Sequence, residues 1–165
     1  MTILQQSSNA RDRKLSDWYE RIRSGQLKLP RFQRFEAWDR GRVVGFLNTI
    51  VQNLPVGVTL LLEVGDKEKF VSRNVATAPE SNARVTEHLL DGQQRLTAFW
   101  RAMHNNYEGE TYFVYLPQFD RRDDDGRDAD EMCIEFQGRW QHKGSRRPVW
   151  ADSPKGCLER GLVPI

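Results

Sequence analysis

Asp91-Gly92-Gln93-Gln94-Arg95 is the stretch on which the fold of this chain turns. It follows the apolar run His88-Leu89-Leu90 and precedes residues 96–103, where Leu96, Phe99, Trp100 and Met103 share one helical face. A strand therefore meets a helix here, and Gly92 lets the backbone turn sharply and a ligand approach closely. The first amides of such a helix lack intrahelical partners and sit at the positive end of its dipole, which favours an anion, phosphate above all. Two glutamines and an arginine add neutral donors and one fixed charge, a set suited to polyphosphate. Taken alone, the pentapeptide is equally an ordinary turn with solvated polar side chains.

Upstream, Ser16 is expected to cap a short helix over residues 17–23 that Gly25 closes, with Trp18 and Ile22 one turn apart. Leu27 and Leu29 alternate with Lys28 as a strand stopped by Pro30. Asp39 caps the clearest helix, whose stripe Val43, Val44, Leu47, Ile50, Val51 and Leu54 runs to Pro55 and Gly57. Residues 58–64 read as a buried strand with a partner around residues 69–71, residues 72–83 as a loop and residues 85–90 as a strand. Downstream, residues 111–116 and the alternation Met132, Ile134, Phe136 read as strands. The order predicts an α+β domain, a small mixed sheet flanked by helices.

A second Gln-Arg pair closes the first strand, in Pro30-Arg31-Phe32-Gln33-Arg34. Two such pairs at two strand ends could face each other across one sheet edge, where ligands of open sheets tend to bind. Arg31, Arg34, Arg40 and Arg42, interleaved with Phe32, Phe35 and Trp38, could contact DNA by phosphate pairing and stacking. Equally, those aromatics could be core and the arginines surface.

Composition bounds the rest. One domain is expected for 165 residues, with a charged fraction of 29% and a net charge of only +2. Bulk charge neither demands nor excludes a nucleic-acid partner. No apolar run approaches a membrane span, and the polar start has no signal-peptide core, so a cytoplasmic protein is expected. Cys133 and Cys157 are too few for a disulfide scaffold or a structural zinc site. His88, His104 and His142 share no metal-ligand spacing, and Asp123-Asp124-Asp125-Gly126 lacks the first and closing ligands of a calcium loop, so no protein metal site is expected. The apolar ending Gly161-Leu162-Val163-Pro164-Ile165 either docks onto the domain or continues into a longer chain, and the second is expected.

The motifs also fall in a recognisable order. Leu29-Pro30-Arg31-Phe32-Gln33-Arg34, Trp38, an amphipathic helix, Leu54-Pro55-Val56-Gly57 before a strand, and Leu90-Asp91-Gly92-Gln93-Gln94-Arg95-Leu96-Thr97 together resemble the N-terminal domain of GmrSD-type, modification-dependent restriction endonucleases. The resemblance covers residues 16–103, and Phe35-Glu36-Ala37 departs from the family's usual aromatic before the tryptophan.

That family is similar in turn to the ParB/sulfiredoxin fold, and the resemblance implies a nucleoside triphosphate site with Mg2+. Gly92, Gln93, Gln94 and Arg95 would hold phosphates, joined by Gln33 and Arg34 from the other strand end. Asp91 and Arg95 would be the catalytic pair. Asp91 could orient Arg95, bind the metal with the phosphates or position the attacking water. No cysteine stands at the corner, so sulfiredoxin chemistry is excluded, and no P-loop motif occurs. Relatives often carry an HNH-type nuclease domain downstream, and no His-rich centre of that kind appears in this sequence. The expected organisation is a flexible arm over residues 1–14, a nucleotide-binding core over 15–116, a charged loop over 117–131 and a β-rich extension over 132–165. The expected function is an NTP-hydrolysing domain that regulates DNA recognition or cleavage by a downstream or partner nuclease domain. The alternative is a non-catalytic module that binds modified DNA through the same corner.

Overall fold

A computed structural model describes residues 11–120, 131–139 and 148–165. The Asp-rich run 123–126, Trp140 and His142 lie outside these residues. Among the described residues the chain forms four α-helices and two small sheets, an α+β architecture.

The first helix, α1 (Leu15–Ser24), starts before Ser16, and Lys14 at its N-cap makes no side-chain cap bond. Gly25 ends it as expected, in the left-handed region at φ 74°, with its N–H donating to the Ile22 carbonyl. Strand β1 (Leu27–Pro30) follows. In helix α2 (Arg40–Val51) the Asp39 carboxylate accepts from the Arg42 amide at 2.9 Å, the cap that the sequence predicts. The stripe is shorter than predicted. Val43 and Leu47 are buried, whereas Leu54 lies past the helix and is exposed.

Strands β2 (Leu60–Glu63), β3 (Ser72–Arg73) and β4 (Glu87–Asp91) complete the first sheet in the order β2-β4-β1-β3. β1 and β4 run parallel; β2 and β3 pair antiparallel with β4 and β1. Two expectations are corrected here. The apolar run at residues 58–64 is an edge strand with Val58 and Leu60 exposed, because β2 has a neighbour on one side only. The short partner strand lies at Ser72–Arg73, not residues 69–71, and it pairs with β1 instead of β2.

Helix α3 (Gln93–Met103) is the axis of the molecule, with eight of its eleven residues buried. Leu96 and Trp100 pack with Ile22, Leu27, Leu29 and Leu89 against the first sheet. Ala98 and Ala102 face a second cluster with Val43, Leu47, Tyr112 and Ile134. A helix covered on two sides is buried nearly all round, so its polar first turn must find partners inside the protein.

The second sheet has the order β6-β5-β7, all antiparallel, with β5 (Glu110–Asp120) central between β6 (Cys133–Gly138) and β7 (Arg160–Pro164). Tyr112 and Val114 of β5 pack towards α2, while Phe113 and Tyr115 face Ala151 and Leu162. A 3-10 turn (Val149–Asp152) and helix α4 (Pro154–Leu158) lead into β7. The apolar ending thus docks as a strand, with Phe113 opposite Pro164 and the Ile165 amide donating to the Tyr112 carbonyl.

Candidate functional site

Because β1 and β4 are parallel, Pro30 and Asp91 finish at the same edge of the first sheet. Leu60 pairs with Asp91 and Ser72 with Pro30, so β2 and β3 begin at that edge. The segments 31–39 and 52–59 and the start of α3 are therefore neighbours. Gly92 sits at the corner at φ 96°, a conformation that L side chains rarely adopt, and a Cβ there would meet Thr59 at 3.1 Å and Arg95 Nη2 at 3.3 Å.

The glutamines at the start of α3 are bonded to the segment that carries the other Gln-Arg pair. Gln93 Nε2 donates to the Arg34 carbonyl at 2.7 Å. Gln94 holds the same segment twice: its Nε2 donates to the Phe35 carbonyl at 3.1 Å, and its Oε1 accepts from the Ala37 amide at 2.8 Å. Gln33 reaches the other way, donating from Nε2 to the carbonyls of Leu89 at 2.6 Å and Leu90 at 2.9 Å. Its Oε1 is buried without a partner. One turn past Thr97, Arg101 Nη1 donates to Glu36 Oε2 at 2.6 Å while its guanidinium lies over the Tyr107 ring. Residues 33–37 are consequently laid along α3 and fixed by backbone and side-chain bonds. Burial, reinforced by the Glu36 charge, pushes the Tyr107 hydroxyl well above its ordinary pKa, so it stays neutral.

Gln33 and Glu36 turn their side chains inward, whereas Arg31, Phe32, Arg34 and Phe35 are exposed. Phe32 is 70% and Phe35 78% exposed, and no described residue bonds the guanidinium of Arg31 or Arg34. Arg73 supports the ledge from β3: its guanidinium lies 4.9 Å from the Phe35 ring and its Nη2 donates to the Arg34 carbonyl at 3.0 Å. Desolvation lowers the Arg73 pKa from its ordinary value. The other candidate contacts divide. Trp38 packs edge-on against Phe46 beside the second core cluster. Arg40 pairs with Glu110 and stacks on Phe136, and Arg42 pairs with Asp39.

Arg95 turns away from the 31–39 segment. Its Nη1 donates to the Val56 carbonyl at 2.9 Å, its Nη2 donates to the Val58 carbonyl, and Asp91 Oδ2 lies 3.5 Å from Nη2. Asp91 itself is largely exposed. All seven predicted residues thus gather at one edge, but the side-chain amides of Gln33, Gln93 and Gln94 and the guanidinium of Arg95 are bonded to backbone. What faces outward is the Asp91 carboxylate and the Arg34 side chain, whereas Gly92, Gln93 and Gln94 at the start of α3 are buried. Gly57, which seats Arg95, and the Glu36–Arg101 pair were not singled out by the sequence as parts of the corner. Their partners lie 38 and 65 residues away and nothing in local spacing links them.

These clamps connect the three motif segments to one another. The GmrSD restriction endonuclease N-terminal domain model matches residues 15–148. The chain belongs to that family. This GmrSD N-terminal domain is also 28% identical over 111 residues to an uncharacterized protein of Methanocaldococcus jannaschii, covering 64% of this chain and 17% of the relative. It therefore spans about a sixth of that relative's length. No solved structure matches it. Among the described residues, no helix is long and apolar enough to cross a membrane and no group of three or more His, Cys, Asp or Glu could hold a metal ion.

Proposed function

We propose that this domain binds and hydrolyses a nucleoside triphosphate at the corner between Gly92 and Arg34, and that nucleotide state controls DNA recognition or cleavage by an HNH-type nuclease domain elsewhere in the protein or in a partner. The observation that carries the reading is the Gln93–Arg34 hydrogen bond, 2.7 Å, which fastens the backbone of Arg34, whose guanidinium no described residue bonds, against the first turn of α3. Backbone amides of the first helical turn and two arginines on either side of them form a set that neutralises polyphosphate. The parallel β1–β4 pair, with a left-handed glycine leading into a helix, also supports the ParB/sulfiredoxin-like fold.

Mg2+ fits the corner in one manner. Asp91 is the exposed carboxylate there, and a single protein carboxylate suits a Mg2+ that keeps waters and takes its other ligands from phosphates. When bound, the metal would neutralise charge on the transferring phosphoryl group. The chain's own part is to hold the phosphates, to orient Asp91 through Arg95, and to keep residues 33–37 fixed along α3.

A panel of ATP, GTP, CTP and UTP with the full-length protein, each with and without Mg2+, tests the reading by melting temperature. Binding raises it by mass action. Arg34→Ala should abolish most of that rise without lowering the melting temperature of the free protein. A flat panel in the native protein would discard the nucleotide.

A second reading has its own observation. Phe32 and Phe35 stand exposed on a clamped backbone beside the unbonded Arg31 and Arg34, a surface suited to stacking bases and pairing phosphates. It supports a non-catalytic module that binds modified DNA. Affinity for DNA falling steeply with salt, together with a flat nucleotide panel, would favour it.

A further inference from the structure

The segment 52–59 joins α2 to β2 without regular structure after its opening turn, and it carries exposed apolar side chains: Leu54 is 53% and Val58 84% exposed. Its middle is wrapped around a charge. Arg95 donates from Nη1 to the Val56 carbonyl at 2.9 Å and from Nη2 to the Val58 carbonyl. Between those carbonyls Gly57 adopts φ 88°, and a Cβ on it would lie 2.3 Å from Arg95 Nη1. Nη2 also lies 3.3 Å from where a Cβ on Gly92 would be. One guanidinium is thus packed between the glycine that opens α3 and the glycine at the centre of the loop.

We infer that Arg95 is a latch: it grips the Val56 and Val58 carbonyls when the phosphate corner is empty and lets go of them when an anion is seated there. This rests on the phosphate reading of the corner and adds its regulation. The two acceptors that Arg95 now uses are neutral, whereas phosphate oxygens are charged, and hydrogen bonds to a charged acceptor are roughly twice as strong. The guanidinium belongs to the third residue of α3 and already lies over Gly92, so an anion on the first-turn amides is within reach of a small rotation of the side chain. The Asp91 carboxylate, 3.5 Å from Nη2, is the competing charge that a phosphate must outbid. Released, the Val56 and Val58 carbonyls turn to water, and the loop loses the contact that fixes its apolar side chains. Occupancy of the corner is thereby written into the position of Val56 and Val58.

Methyl NMR of Val56 and Val58 in the full chain tests the latch with native side chains as reporters. Inorganic triphosphate and nucleoside triphosphates, with and without Mg2+, are the probes, and melting temperature reports binding independently. Seating the anion should shift and sharpen both valine signals and lower their order parameters. Gly57→Ala and Arg95→Gln should each produce the mobile spectrum with no ligand and show no further sharpening. A rise in melting temperature with unchanged valine signals overturns the latch while sparing the phosphate site. Native-like valine signals in Gly57→Ala and Arg95→Gln also overturn it. If no probe raises the melting temperature, the phosphate site and the latch fall together.

Discussion

The Ala37 amide donates to Gln94 Oε1 across 2.8 Å, while the Gln94 Nε2 donates to the carbonyl of Phe35, two residues earlier. A single side chain from the first turn of α3 thus completes both hydrogen-bonding needs of a strandless peptide. Glutamine is the residue that can do this: glutamate lacks the donor, and a hydrophobe lacks both.

Gln94→Glu should therefore cost about 1–3 kcal/mol, because a buried carboxylate would face the Phe35 carbonyl. Gln93→Ala, which removes one donor from the Arg34 carbonyl and leaves it to Arg73 Nη2, should cost about 1 kcal/mol. The urea midpoint measures both. If both variants keep native midpoints, the clamps contribute nothing to the fold.

Arg34→Ala separates holding a ligand from holding the fold. Its guanidinium has no described partner, so stability should change by less than about 0.5 kcal/mol. A charge-assisted contact to phosphate is worth about 1.5–3 kcal/mol, so nucleotide affinity should fall roughly 10- to 100-fold. Isothermal titration set against the denaturation midpoint reads the two effects separately.

Glu87 is buried on β4 and receives Arg13 at 2.7 and 2.8 Å, with Arg21 at 3.4 Å. The hydrogen bond from Arg13 to Glu87 raises the Arg13 pKa from its ordinary value. Residue 13, close to the chain's start, is in this way tied to the middle of the first sheet. Both arginines remain partly in water, which screens the pair. Glu87→Ala should still cost about 1–3 kcal/mol, since it removes the acceptor from two partly buried cations. Arg13→Ala should lose less, because Arg21 stays to face the carboxylate. Equal losses in thermal melts would contradict this division of labour.

Glu68 gives a pH prediction. The hydrogen bond from Ser72 Oγ, at 2.6 Å, chiefly lowers its pKa, aided by a bond to His88. A carboxyl whose folded pKa is depressed adds stability above its unfolded pKa and loses it as pH falls through the folded value. Any stabilisation from Glu68 is thus present at neutral pH and disappears on acidification below the usual carboxylate range. The urea midpoint of Glu68→Gln should respond less to pH in that acid range than that of the native protein. Parallel pH profiles would show that Glu68 is not coupled to folding.

Local chemistry made some elements legible in the sequence. Asp39 caps α2, Gly25 ends α1, and Ile134 alternates with its neighbours on β6, because capping, left-handed glycine and period-two alternation each act within a few residues. The Asp91–Arg95 corner was legible for the same reason: Gly92 is left-handed and Gln93 begins the helix. The motif order also determined the family, with its match over residues 15–148.

The partners of those residues were not in the local code. Residues 58–64 look like a buried strand, yet β2 is an edge, since run length carries no information about neighbours across a sheet. The ending at residues 160–164, aperiodic by itself, becomes β7 only because β5 offers it an unpaired side. Glutamines 93 and 94 read as exposed donors on a first helical turn, but α3 lies between two packed layers. Burial there forces their amides onto the nearest backbone, and only the tertiary structure decides that this backbone belongs to residues 34–37. The sequence alone thus determined which residues form the corner; the fold decided which of them hold it together and which are left to meet a ligand, because hydrogen bonds across 37 to 59 residues depend on chain packing and not on neighbouring residues.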